Sequence, residues 1–320
     1  MIKTISIIGF GNIGKRHFES INKINYSLNI YLIDPIIEKN YLYVEKIKNK
    51  KHKIHYFINL DKVNRKFDLA IISTHSSERY KIINFLLNEN LTSKIFLEKV
   101  AFNSISKYQN IISKLKLKKI KCFINYPRNY VKTYKKIKNK LNSSLPIKMS
   151  VKGSNWGMTS NSFHFINLFQ YINNNHKILI ATGKFGRPYK SSRENYYDFN
   201  GELTIETSNN DKLFLEQNFK KNTDVKISIE NSKFKIKISE KNNTIYIFDK
   251  DNKKAILNTK EDILPYQSKL TKNIIYELNK KKQNENINIF NIYNNDIILL
   301  KLFQKKFDVY KNFKDKCPIT

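Results

Sequence analysis

Apolar residues first run together rather than alternate. Thr4–Ile8 reads TISII, and similar short runs recur at Asn29–Asp34, Ile54–Phe57, Phe67–Thr74, Lys94–Glu98 and Ile120–Asn125. Short continuous β-branched runs are what strands buried on both faces look like. Between them the spacing turns helical. An amphipathic stretch begins at Lys15, Glu78–Asn88 sets Tyr80, Ile83 and Leu87 on one face, and Ser104 opens Ser104–Leu117 as a cap. The segment from Asp34 to Lys53 is polar and lysine-rich, a helix or a loop. Strands alternating with helices at this pitch predict βαβ units and a doubly wound parallel sheet over residues 1–125.

The pattern then changes. Arg128–Leu141 reads as a helix, Ile147–Lys152 alternates, Gly153–Ser162 is small and polar, and Phe163–Ile172 is an apolar helix. From residue 178 to 257 the period is two: Leu203 and Ile205, then Val225, Ile227 and Ile229, then Phe234, Ile236 and Ile238, then Ile245 and Ile247. Turn pairs such as Asn209-Asn210 and Asn242-Asn243 separate these runs. This predicts an open, mostly antiparallel sheet with one face buried. The other face is free to cover a second subunit, so a homodimer or tetramer is expected. Ser268–Lys281 and Asn294–Lys306 read as amphipathic helices that can pack back on the first domain. The expected fold is an α/β Rossmann domain, residues 1–125, followed by an α+β domain for substrate and oligomer contacts, residues 126–320.

Composition narrows the function. The chain has 320 residues, 40% hydrophobic and 13% aromatic, enough to bury two cores. No run of about 18 apolar residues occurs, so no transmembrane helix is expected. Cys122 and Cys317 have neither metal spacing nor a disulfide framework, and His17, His52, His55 and His176 show no ligand spacing; no metal is expected, and a reducing cytoplasm is the simplest compartment. The net charge of +32 raises nucleic acid as a partner. Its lysines, however, are scattered, as in Lys46, Lys48, Lys50, Lys51 and Lys53, and then Lys114, Lys116, Lys118 and Lys119. They form no arm or aromatic-interleaved stripe, so AT-rich codon drift explains them better.

One stretch carries explicit chemistry. The first apolar run ends in Gly9-Phe10-Gly11-Asn12-Ile13-Gly14, G-x-G-x-x-G between a strand and a helix. With only 8 glycines in the chain, chance supplies roughly 0.005 such matches. The glycines permit a tight turn, backbone approach to a pyrophosphate and close helix packing. Asp34 ends the second run 20 residues after Gly14, where an acid hydrogen-bonds the ribose of NAD. Pro35 follows it, with no adjacent cation for a 2′-phosphate, which favours NAD over NADP. Thr74 and His75 stand at the mouth of a parallel strand and are read as lining the cofactor cleft. Glu98 and Lys99 stand at the end of the next, the edge where such sheets bind ligands. Glu98 is read as positioning the cofactor or the strand end. Tyr126 and Arg128 are candidates for substrate contact, Arg128 equally for a structural ion pair. Trp156 offers a ring either to a sugar face or to the core.

Four elements in order resemble the Gfo/Idh/MocA oxidoreductases, the glucose-fructose oxidoreductase and inositol dehydrogenase superfamily. They are GFGNIG, then STHSSERY at Ser73–Tyr80, EKV at Glu98–Val100, and NSFHFIN at Asn161–Asn167; Asn125-Tyr126-Pro127-Arg128 also fits. The family's usual EKP is EKV here, which should alter the backbone after Lys99 without removing the lysine. Its histidine matches His164, but its usual acids four residues before and three after are Ser160 and Asn167. The resemblance implies catalysis at the junction of the domains. His164 and Lys99 then serve as proton-handling residues, Asn161 positions substrate, and a cofactor-bound hydride is exchanged with a carbinol carbon. Histidine's intrinsic pKa suits His164 to the role of a base. Lys99 acts either as a base or relay, or as a cation that stabilises a developing alkoxide. The expected substrate is a sugar or nucleotide sugar, by resemblance one of surface-polysaccharide synthesis. Two alternatives stand: a C=N or C=C reductase of the same superfamily, and an NAD-binding regulator that has lost catalysis.

Overall fold

The computed structural model describes residues 1–141, 145–218, 223–251, 254–258, 262–280, 285–310 and 316–320. In chain order the elements are β1 (Thr4–Ile8), α1 (Asn12–Ile21), β2 (Asn29–Ile33), α2 (Tyr41–Ile47), β3 (Lys53–Phe57), β4 (Leu69–Ile72), α3 (Ser76–Asn88), β5 (Lys94–Leu97), α4 (Ile105–Leu117) and β6 (Lys121–Ile124). After these come α5 (Lys132–Leu141), β7 (Lys148–Ser154), α6 (Met158–Ile172), β8 (Ile178–Phe185), β9 (Tyr189–Lys190), β10 (Tyr197–Asp198), β11 (Gly201–Thr207) and β12 (Lys212–Asn218). Last are β13 (Lys226–Glu230), β14 (Phe234–Ser239), β15 (Thr244–Asp249), β16 (Lys254–Asn258), α7 (Gln267–Leu278) and α8 (Ile289–Asp308). Lys281, the expected end of the seventh helix, lies outside the described residues.

The chain divides into two compact units. The first takes residues 1–102, 106–127 and 265–291. Its six strands are all parallel, in the order β3-β2-β1-β4-β5-β6, the doubly wound arrangement. The inner strands are buried on both faces, with Ile5, Ile7, Leu69, Ala70, Ile71, Ile72, Ile95, Phe96 and Leu97 all essentially inaccessible. That is why they read as unbroken apolar runs. The order reverses between β1 and β4, so the ligand crevice of this topology opens at the carboxyl ends of those strands. α7 packs on α1, where Ser20 Oγ accepts the Lys272 N–H at 2.9 Å.

The second unit takes residues 103–105, 128–264 and 292–320. Its main sheet runs β16-β15-β14-β13-β7-β12-β11-β8, with β9 and β10 as a separate ribbon. Met149, Val151, Leu203, Ile205, Leu213, Leu215, Ile227, Ile229, Ile236 and Ile238 fill its inner face. Phe199 joins that core through edge-on and tilted contacts with Phe185, Phe303 and Phe307. The pairing is antiparallel except that β12 lies parallel to β7. Alternation cannot distinguish the two, and here α6 and the strands after it supply the long crossover a parallel pair needs. The outer face carries lysines and glutamates that pair across strands: Lys152–Glu216 at 3.1 Å, Lys212–Glu206 at 2.9 Å and Lys235–Glu230 at 3.8 Å. α6 begins at Met158, five residues before the apolar run that announced it. No helix among the described residues is long and apolar enough to cross a membrane.

Candidate functional site

Five strand ends of the first unit meet the crevice edge in sheet order. β2 delivers Asp34, β1 the glycine turn, β4 Thr74 and His75, β5 Glu98 and Lys99, and β6 Asn125. Gly9 turns the chain with φ +89°, and a β-carbon there would press on Thr74. A β-carbon on Gly14 would run into the Gly9 carbonyl. Gly11, by contrast, faces open space. The turn is held by Ser73 Oγ, which donates to the Gly9 carbonyl at 2.6 Å, and by the Gly9 N–H, which reaches the Ile33 carbonyl at 2.9 Å.

Asp34 braces the same turn. Its Oδ2 accepts the Phe10 N–H at 2.7 Å and its Oδ1 the Ile36 N–H at 3.0 Å. The Phe10 ring is buried against Phe18, so Phe10 contributes its backbone rather than its side chain. Gly11, Asn12 and Ile13 are exposed at the tip. Gly11 caps α1 without a side-chain hydrogen bond, and no acid occupies the first turn. The first amides of α1 therefore face an open cradle with the partial positive charge of the helix behind them. These features fit a dinucleotide pyrophosphate, with Asp34 beside it for a ribose.

The Glu98–Lys99–Val100 segment is fixed from two sides. Buried Arg79 donates to the carbonyls of Thr74 (2.7 Å), Glu98 (2.6 Å) and Val100, tying the end of β4 to the end of β5. Glu98 Oε1 receives His17 Nε2 at 2.9 Å and Asn125 Nδ2 at 2.6 Å. Burial pushes the Glu98 carboxyl up, but these hydrogen bonds outweigh it and hold the group below the usual carboxylate range. Glu98 is thus an ionised anchor. Lys99 is half-buried, and the peptide bond after it is cis. Sequence reading missed Arg79 and His17.

In the second unit α6 is buried along its length except at Ser160, Asn161 and His164, which share one face. Its amino end is closed from a distance. Gln217 Oε1 accepts the Gly157 and Met158 N–H groups at 2.8 and 3.2 Å, and Asp198 Oδ1 accepts that of Thr159 at 2.9 Å. These amides are spent on protein, unlike those of α1. Gln217 sits in the buried phase of β12 with Leu213 and Leu215, and a polar residue in an apolar phase is the signal that could have found it. Asn161 donates to the Trp156 carbonyl, and Asn167 is buried and accepts from Asn129 at 2.8 Å.

Three candidates for substrate contact are buried. Trp156 takes the packing role: its ring is buried edge-on to Phe165 and its indole N–H donates to the Glu216 carbonyl at 2.9 Å. Tyr126 is 1% exposed and has no face to offer a soluble sugar. Arg128 takes the ion-pair role. Its Nε and Nη2 meet the two oxygens of Glu240 at 2.8 and 2.6 Å, Tyr134 donates to the same carboxylate at 2.5 Å, and the guanidinium lies over Phe165. Glu240→Ala would leave a buried guanidinium uncompensated. Urea unfolding is expected to show a loss of about 3–5 kcal/mol; a change under about 1 kcal/mol would mean the pair is not needed.

Residues 3–126 match the model of the Gfo/Idh/MocA oxidoreductase family, NAD-binding Rossmann fold. The chain carries a Gfo/Idh/MocA NAD-binding domain. Solved structures share the fold of both the Gfo/Idh/MocA domain and the sheet domain after it. The super-repressor mutant of Gal80p from Saccharomyces cerevisiae is similar with a TM-score of 0.77 and 11% identity, over 97% of each chain. An oxidoreductase from Agrobacterium radiobacter, in complex with NAD+, L-tartaric acid and magnesium, gives 0.74 and 9% over 98% of each. UDP-N-acetylglucosamine 3-dehydrogenase from Acidithiobacillus ferrooxidans gives 0.71 and 10% over 94% of this chain and 97% of that one. At these identities the likeness is one of fold. No curated protein sequence matches the chain.

Proposed function

We propose that the chain is an NAD-dependent oxidoreductase acting on a carbinol carbon of a sugar or nucleotide sugar. One observation carries this reading: the order of groups along the carboxyl edge of the first sheet. A ribose acceptor, a phosphate cradle and an amine succeed one another from β2 through β1 and β4 to β5. Three strand spacings, about 14 Å, separate β2 from β5. That is the order of the parts of a dinucleotide and then a group able to work on substrate. Asp34 holds the ribose hydroxyls, the α1 amides hold the pyrophosphate, and Thr74 and His75 flank the rest. Bound nicotinamide supplies the hydride acceptor. By resemblance, Lys99 and His164 are the proton-handling residues and Asn161 is the group that orients the sugar. By resemblance the pathway is surface-polysaccharide synthesis.

The test is NADH and NADPH titration, then turnover on a panel of nucleotide sugars. Wild-type protein is expected to bind NADH more tightly than NADPH. Asp34→Asn, which keeps an acceptor for the Phe10 amide, should weaken NADH binding about tenfold, the value of one charge-assisted hydrogen bond. NADPH binding as tight as NADH would sink the Asp34 assignment.

A second reading has its own support. Ser160 and buried Asn167 occupy positions where acids are usual, and a Gal80p repressor shares the fold. An NAD-binding regulator would bind NADH, turn over no sugar, and be indifferent to Lys99→Ala.

A further inference from the structure

His17 is not needed by any step above, yet it is the most completely engaged buried histidine of the first unit. It is 0% exposed, on α1 one turn after Gly14. Nε2 meets Glu98 Oε1 at 2.9 Å and Nδ1 meets Thr271 Oγ1 on α7 at 2.9 Å. Ionised Glu98 can only accept, so Nε2 carries the proton. The ring is also held edge-on by Phe96. The contacts close into a loop. Asn125 Nδ2 bridges Glu98 Oε1 and Gln267 Oε1, at 2.6 and 2.8 Å, and Gln267 Nε2 donates to Thr271 Oγ1 at 2.8 Å. Arg79 meanwhile pins the carbonyls on the backbone side of the same segment. Glu98 therefore has little freedom left, and Lys99 is bonded directly to it.

We propose that His17 is a positioning residue for Lys99: it fixes Glu98, and through that anchor registers the Lys99 amine against the helix that opens on the glycine turn. This rests on the reading of Lys99 as the working amine. A histidine suits the task because it offers two nitrogens on opposite edges of a rigid ring, joining Glu98 to α7 without a flexible stem. Metal-ligand orientation by outer partners obeys the same logic, and loss of such partners is felt at the group they hold.

Trace acylation of the full chain with acetic anhydride, read lysine by lysine by peptide mass spectrometry from pH 6 to 10, tests this. Lys116 and Lys118, on and just after α4 and away from the α1–α7 contact, serve as internal references. In His17→Ala the acylation rate of Lys99 should change about threefold or more, with its pH profile displaced and the references unmoved. His17→Gln, which keeps a side-chain N–H for Glu98, should restore most of the wild-type profile. An unchanged Lys99 profile in folded His17→Ala overturns the proposal, as does an equal change at the references. Should His17→Ala fail to fold, Thr271→Val carries the test. It is near-isosteric and removes the hydroxyl that holds His17 Nδ1 without altering any charge near Lys99, so the Lys99 profile must shift there too, and a profile like wild type sinks the idea. No turnover is required. A protein that binds NADH but converts no sugar would defeat the oxidoreductase reading and leave this result standing.

Discussion

Lys99→Ala is expected to lower turnover by about 10²–10⁴-fold, the usual worth of a positioned proton-transfer group, while NADH binding stays within about twofold. The binding half comes from the fold. Asp34, the glycine turn and the α1 amides lie on β2, β1 and α1, whereas Lys99 lies just past β5. Lys99→Arg then separates the two roles open to the amine. Arginine keeps the charge but cannot release a proton at any accessible pH. Activity retained in Lys99→Arg means the residue stabilises an alkoxide; activity lost equally in both variants means it handles a proton. Full turnover in Lys99→Ala would remove Lys99 from the mechanism.

The second large effect is expected at Gly14. Its missing β-carbon is replaced by the Gly9 carbonyl oxygen, so Gly14→Ala must push α1 away from the turn or twist the turn itself. Either response misaligns the amides on which a pyrophosphate depends. NADH affinity should fall by about 10²-fold, the worth of one or two amide hydrogen bonds to a charged pyrophosphate. The melting temperature should fall as well, overpacking a tight contact costing about 1–3 kcal/mol. Gly11→Ala is the control for stability. A β-carbon there meets no protein atom, so it should cost little stability and act on the cofactor alone. Tight NADH binding by Gly14→Ala would mean the cradle is not where the dinucleotide sits.

Much of the first unit was legible in the chain. Parallel strands buried on both faces write themselves as continuous apolar runs, and the glycine turn stands out because glycine is scarce. What stayed hidden depends on partners remote in sequence. His17 meets Glu98 across 81 positions, and no local pattern announces the pair. The start of α6 was hidden for the same reason. Met158–Ser162 carries no apolar stripe, and the amides there are capped by Gln217 from 60 positions away. Trp156, Tyr126 and Arg128 are amphipathic side chains whose type suits a sugar site or a packed interior equally well. Their burial chose the interior. In the second unit alternation found the strands but not the parallel β7–β12 pair, because a pleat records which face is wet and not which way the neighbour runs.

α7 closes on α1 although the two are separated by most of the chain. A ribosome finishes β6 at Ile124 but does not complete α7 until Leu278. At about 5–20 residues per second, the delay is roughly 8–30 s. Throughout it, the side of α1 that bears Ser20 and His17 has no α7 to meet. The dinucleotide unit is thus translated first and finished late. A fragment that stops after β6 should emerge as a client for chaperones rather than as an independent cofactor-binding module.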